Sequence, residues 1–272
     1  AVRVSRPGLT VRARRVYVTP RPARLAPRNA RTVETGVQRL ITQGIRDAID
    51  SPIPISGLTI HAFAAPFKGA SLAASVLVGV EIHGRDLRLN ANDKVTMAYL
   101  AITPQGSIRS GNTVTVTLNL PPERKELVEQ RGLRLLDRLN LPPGRYQFRI
   151  AAHDSGGGRV GSVLYDLEVP DFTRGALSMS GIVLTSAAGS IAPTLRPDQQ
   201  LTQVLPAQPI AMRRFPSDDE VTLFVEVYDN QPSKPHKVEI TATVATDEGT
   251  VMFTSHDHEF IQTVANRIIE LG

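Results

Sequence analysis

Cysteine and tryptophan are absent from this chain of 272 residues. Without cysteine there can be no disulfide, no thiolate metal site and no cysteine nucleophile. The compartment stays open, because cysteine-free chains occur in reducing and oxidising surroundings alike. Aromatic residues reach only 5%, so the core has to be assembled from Val, Leu, Ile and Ala. No apolar run approaches the roughly 20 residues of a membrane helix. No signal peptide is visible, and alanine at position 1 leads us to expect a mature or trimmed chain. Acidic residues are missing from positions 1–33, which hold nine arginines, among them Arg3, Arg6, Arg12, Arg14, Arg15 and Arg21. The net charge of +5 therefore sits in this arm, and the remainder is slightly acidic. A basic arm can bind nucleic acid, anionic lipid or an acidic protein surface. It also reads as a solvated linker or an edge strand guarded by arginines.

What is present is a core's worth of aliphatic residues, 41% of the chain being hydrophobic. Its periodicity is mostly two. Residues 1–33 hold two short alternating runs around Pro7-Gly8, then a proline-rich linker. Val37, Leu40, Ile41, Ile45, Ala48 and Ile49 fall at helical spacing and predict a helix over roughly 33–50, stopped by "SPIP" within a 34–56 connector. "LTIHAFAAPF", "ASVLVGVEI", "DKVTMAYLAI", "NTVTVTLNL", "GRYQFRIAAHD" and "GSVLYDLEV" then read as strands of a β-sandwich over 57–172. A helix inserted at 122–139 is expected from Val128, Leu135, Leu136 and Leu139. A second sandwich, 173–272, shows only about four strands, a long Pro/Gln-rich loop near 188–217 and a helical spacing at its end (Phe260, Val264, Ile268, Leu271). That loop is either a surface crossing or a binding segment. The fold class is thus all-β: two immunoglobulin-like or fibronectin-like sandwiches in tandem, the second short of strands, with two or three short helices.

Candidate chemistry is sparse. "TSHDHEF" places His256 and His258 two apart, which in a strand puts both rings on one face and suits zinc or copper. Further ligands would be needed, with Glu259 and His236 nearest in sequence. The competing reading is an exposed loop, with Asp257 capping the last helix. No Gly-x-Ser-x-Gly elbow occurs. "DSGGGR" at 154–159 is a hairpin loop; no lysine followed by Ser/Thr makes it a phosphate loop. The reading is of no enzyme and no cofactor.

The ordered segments "RPGLTVRARRVYVTPR", "DAIDSPIPISGLTIHAFAAPFKG", "SVLVGVEIHG", "LPPGRYQFRIAAHD", "GRVGSVLYDLEVPDF", "SGIVLTSA" and "LFVEVYDN" resemble the C-terminal region of the von Willebrand factor A-related proteins common in acidobacteria. The resemblance covers roughly residues 1–253, with Val16 standing where glycine is expected. The A domain itself is absent: its metal loop, Asp-x-Ser-x-Ser, does not occur here. The resemblance implies an accessory β-sandwich region of a secreted or envelope protein. Residues 249–272, "GTVMFTSHDHEFIQTVANRIIELG", resemble the end of an ABC-F ATP-binding cassette domain, which would make His256 its switch histidine. Without a Gly-x-x-x-x-Gly-Lys-Ser/Thr loop nothing holds a triphosphate. The tail therefore reads as a borrowed end that leaves the second sandwich without closing strands.

Three functions follow as expectations. The first is a structural or protein-interaction module, self-associating by strand addition into a homo-oligomer or fibre. The second is nucleic-acid or anionic-surface binding through the arginine arm. The weakest is an ATPase fragment.

Overall fold

The computed structural model describes residues 43–90, 92–216 and 219–231, and the backbone of strands at 239–245, 250–256 and 265–271. The chain divides into two compact units, Ala1–Arg39 and Leu40–Gly272, and every described residue belongs to the second. The fold is all-β with few short helices, as its alternating residues require.

Three sheets carry the architecture. The front sheet has the order β4-β3-β6-β7, from β3 (Asp93–Ile102), β4 (Ile108–Leu118), β6 (Gly144–Asp154) and β7 (Arg159–Val169). The middle sheet is β1-β2-β5-β10, from β1 (Ile60–Phe67), β2 (Ala74–Ile82), β5 (Leu133–Leu141) and the two-residue β10 (Thr194–Leu195). The back sheet centres on β11 (Val221–Asp229), which pairs β14 (Ala265–Leu271) on one side and β8 (Leu177–Met179) and β9 (Val183–Ser186) on the other. A hairpin of β12 (Glu239–Ala245) and β13 (Thr250–His256) completes the set.

The middle sheet is covered on both faces. Val76, Val78, Val80 and Ile82 of β2 and Leu133, Leu135 and Leu139 of β5 join Met97, Tyr99, Phe148 and Ile150 of the front sheet in the main core. The intervening residues turn the other way. Phe63, Phe67, Leu77 and Leu136 meet Val183, Leu201, Leu205 and Phe224 in a second cluster. The two sandwiches therefore share a sheet. This explains why β2 reads as an almost unbroken apolar run: a strand buried on both sides has no polar face to show. Gly79 is fixed by the same crowding, since a Cβ there would lie 2.0 Å from the ring of its cross-strand neighbour Phe63.

Two expected helices are corrected. The first, α2 (Pro122–Arg131; α1 is Gln43–Asp50), does not reach residue 139. Gly132 takes a left-handed φ of +82°, its N–H closes on the Val128 carbonyl at 2.8 Å, and the chain leaves as β5. β5 then pairs β2 over its whole length, from Ala74↔Leu141 to Ile82↔Leu133. Leucines at 135, 136 and 139 satisfy a helical stripe and a two-sided strand equally well. At the chain's end, Ala265–Leu271 is a strand rather than a helix and pairs β11 in register from Val221↔Leu271 to Val227↔Ala265. Pairing with an available apolar neighbour overrides local spacing. The back sheet thus gains a strand where the sequence implied a loss.

Of the predicted 33–50 helix, α1 is the described part. It buries Ile45, Ala48 and Ile49 against β6 and β7, and Arg149 Nη1 caps it at the Ile49 carbonyl, 2.8 Å away.

Candidate functional site

The sequence-predicted residues contribute little to any described site. Arg3, Arg6, Arg12, Arg14, Arg15 and Arg21 lie outside the described residues, as do His258, Glu259, His236 and the capping Asp257. His256 ends β13, in register with Glu239. Among the described residues no group of three or more His, Asp or Glu is placed to hold a metal.

Two features stand out instead. The first is a polar cleft where the second apolar cluster runs out. Alternation along β5 sends Leu136 into that cluster and brings Arg138 and Asn140 to the cleft floor, beside Ser75 of β2 and Phe67 of β1. One wall is Glu226 and Tyr228 of β11. The other is the 3₁₀ turn Leu201–Gln203 with Gln199 and Gln200 before it. The part of the cleft between Arg138 and the two walls has a volume of about 590 Å³ and opens to solvent.

Its charges are individually held. Arg138 Nε pairs with buried Asp198, and its Nη1 donates to Ser75 Oγ at 3.2 Å. Its guanidinium carbon lies 5.0 Å from the centre of the Phe67 ring. Asp198 in turn accepts from the Leu201 N–H at 2.9 Å, which fixes the 3₁₀ turn. Glu226 accepts the Tyr228 hydroxyl. That same hydroxyl accepts the Lys68 N–H at 2.9 Å, while Lys68 Nζ donates to Asn230 Oδ1 at 3.0 Å and sits 5.6 Å from the Tyr228 ring centre. Burial, then the hydrogen bond to Glu226, pushes the Tyr228 hydroxyl well above its ordinary range.

A neighbouring ion pair builds the wall rather than the site. Glu81 and Arg134 face each other across β2 and β5, 2.5 Å apart, with Arg134 only 1% exposed. Arg134 Nη2 donates to the Gly189 carbonyl at 2.7 Å, and Glu81 accepts the Met212 N–H at 3.1 Å. The long 188–217 loop is thereby tied down at both ends, and it buries Leu201, Leu205, Ile210 and Ala211. On the opposite face, Asp137 gathers Tyr99, Asn112 and Arg196 at 2.9, 2.6 and 2.9 Å. Adjacent residues 137 and 138 thus serve two separate networks, as the pleat dictates.

The second feature is an open strand edge. At the β7 edge, Ser162 N–H donates to the Ile55 carbonyl at 2.8 Å. At β1, Gly181 N–H donates to the Pro66 carbonyl at 2.7 Å, and β10 lies along β5. The outer edge of β4 has no strand beside it among the described residues, although β4 is eleven residues long.

Sequence reasoning missed Arg138, Glu226 and Tyr228. The available signal was a charge inside an apolar run, "LRLLDRLNL", which a helical reading spreads around a cylinder. Compared with known proteins, the chain matches no family model, no curated protein and no solved structure.

Proposed function

We propose that the chain is a non-enzymatic protein-interaction module of a secreted or envelope protein, one that joins other chains, its own copies included, by strand addition at β4. The observation that carries this reading is the long edge with no neighbouring strand among the described residues, whereas the other front- and middle-sheet edges each meet neighbouring backbone at one or two points. An edge strand of an antiparallel sheet turns alternate N–H and C=O groups outward, ready to pair. β4 contains no proline and no lysine, and its Thr-Val-Thr-Val-Thr run favours extended backbone. Arg109 is its one charge. A strand laid along it extends the front sheet while specificity comes from the side chains it meets. The resemblance to accessory regions of envelope proteins supports the location.

Light scattering of the full chain over a range of concentrations tests the self-association. The mass is expected to rise with concentration. The double substitution Ile108→Lys/Thr117→Lys, at two exposed positions toward the ends of the strand, is expected to hold it at one chain. A monomer at every concentration, or association indifferent to both lysines, would overturn self-pairing at this edge.

A further inference from the structure

We infer that the cleft between the middle and back sheets is a binding site for a small zwitterion, of the class of free amino acids and dipeptides. This goes beyond strand addition and does not depend on it. Arg138 and Glu226 line the same cleft with opposite charges, yet Arg138 pairs with Asp198 rather than with Glu226. Left to themselves, an arginine and a glutamate sharing a cleft would close on each other. Here each is restrained by a different partner. Arg138 is held at Nε by Asp198, at Nη1 by Ser75 and on its flat face by Phe67. Glu226 is held by the Tyr228 hydroxyl through one oxygen. That leaves Arg138 Nη2 and the second Glu226 oxygen without a protein partner among the described residues. The result is a fixed donor edge and a fixed acceptor, preorganised for a carboxylate and an ammonium on one molecule.

The rest of the lining fits the same ligand. Gln199, Gln200 and Gln203 line one wall, and an amide side chain can pair with peptide N–H and C=O groups alike. A saccharide is disfavoured because both aromatic faces are taken: Phe67 lies under Arg138, and Tyr228 lies beside Lys68 with 4% exposure. A purely anionic ligand would gain from Arg138 and Lys68 but would meet the Glu226 carboxylate.

The probe is L-alanyl-L-alanine, titrated into the full chain by calorimetry, beside its N-acetyl and C-terminal amide derivatives and maltose. The free dipeptide is expected to bind, and each blocked form at least about tenfold more weakly, equal to losing one charge-assisted contact. Glu226→Gln keeps an acceptor for Tyr228 and is expected to erase the difference between free and acetylated peptide. Should that variant fail to fold, Gln200→Ala, at an exposed wall position, is expected to weaken binding several-fold. No saturable binding by about 10 mM dipeptide overturns the proposal. So does equal binding of the blocked forms, preferential binding of maltose, or an affinity that neither substitution changes.

Discussion

Glu81 and Arg134 illustrate how one pair of residues can hold a long loop. Both are buried, and each spends its remaining hydrogen-bonding capacity on the 188–217 loop, at Gly189 and Met212. Removing one partner strands the other charge in a low-dielectric layer. Glu81→Ala is therefore expected to cost about 3–5 kcal/mol in denaturant unfolding. Glu81→Leu/Arg134→Met, which removes both charges, should recover most of that loss. If the double variant is as weak as the single, the loop contacts matter more than the charges. Tyr228 gives a pH signature. Its hydroxyl is held above its ordinary value near 10, chiefly by burial and then by Glu226. A raised folded value means the contribution to stability is intact below about pH 10, where both states are protonated. Above that, the unfolded chain ionises first and stability falls as pH climbs toward the folded value. Tyr228→Phe, although less stable at neutral pH for want of its hydrogen bonds, should make this alkaline decline shallower by its own share, with Tyr99 and Tyr146, also raised by burial, supplying the rest. An equally steep decline in the variant would place its cause elsewhere.

At the scale of elements, legibility depended on whether a strand had one buried face or two. β6 and the end of β7 show the expected alternation, and β3, though buried on both faces over Val95–Ala101, begins and ends where its apolar run does. β2, buried on both faces, still reads as a strand because its Val-rich run is too short for anything else. β5 is where the reading failed. Leu133, Leu135, Leu136, Leu139 and Leu141 satisfy either periodicity, and α2 just before it invites continuation. Gly132 was the available stop signal. Its left-handed backbone admits no larger residue cheaply, since a Cβ would lie 2.4 Å from the Ile82 carbonyl. The tail failed for a different reason. Nothing local to 265–271 specifies a strand; β11 does, by offering an edge seven residues long. The cleft inherits the first difficulty, because its floor comes from β5.

Over the whole described molecule, the middle sheet is the common wall of two cores, so neither sandwich is complete alone. A chain ending at Pro170 would leave Phe63, Phe67, Leu77 and Leu136 facing water, since Val183, Leu201, Leu205 and Phe224 would be gone. It is expected to bind an apolar dye such as ANS, to aggregate, and to melt below the full chain. A well-behaved monomer with unchanged melting temperature would mean that the back sheet only rests on the front half. By itself, the sequence determined the class of fold, the aliphatic core and most front-sheet strands. These depend on alternation and turn residues, which are local in the chain. The tertiary structure alone decided that two sandwiches share a sheet, that 133–141 and 265–271 extend, and that Lys68, Arg138 and Glu226 border one cleft. Those residues stand up to 158 positions apart between Lys68 and Glu226. Only pairing and burial between distant strands bring them together, and no local pattern encodes that.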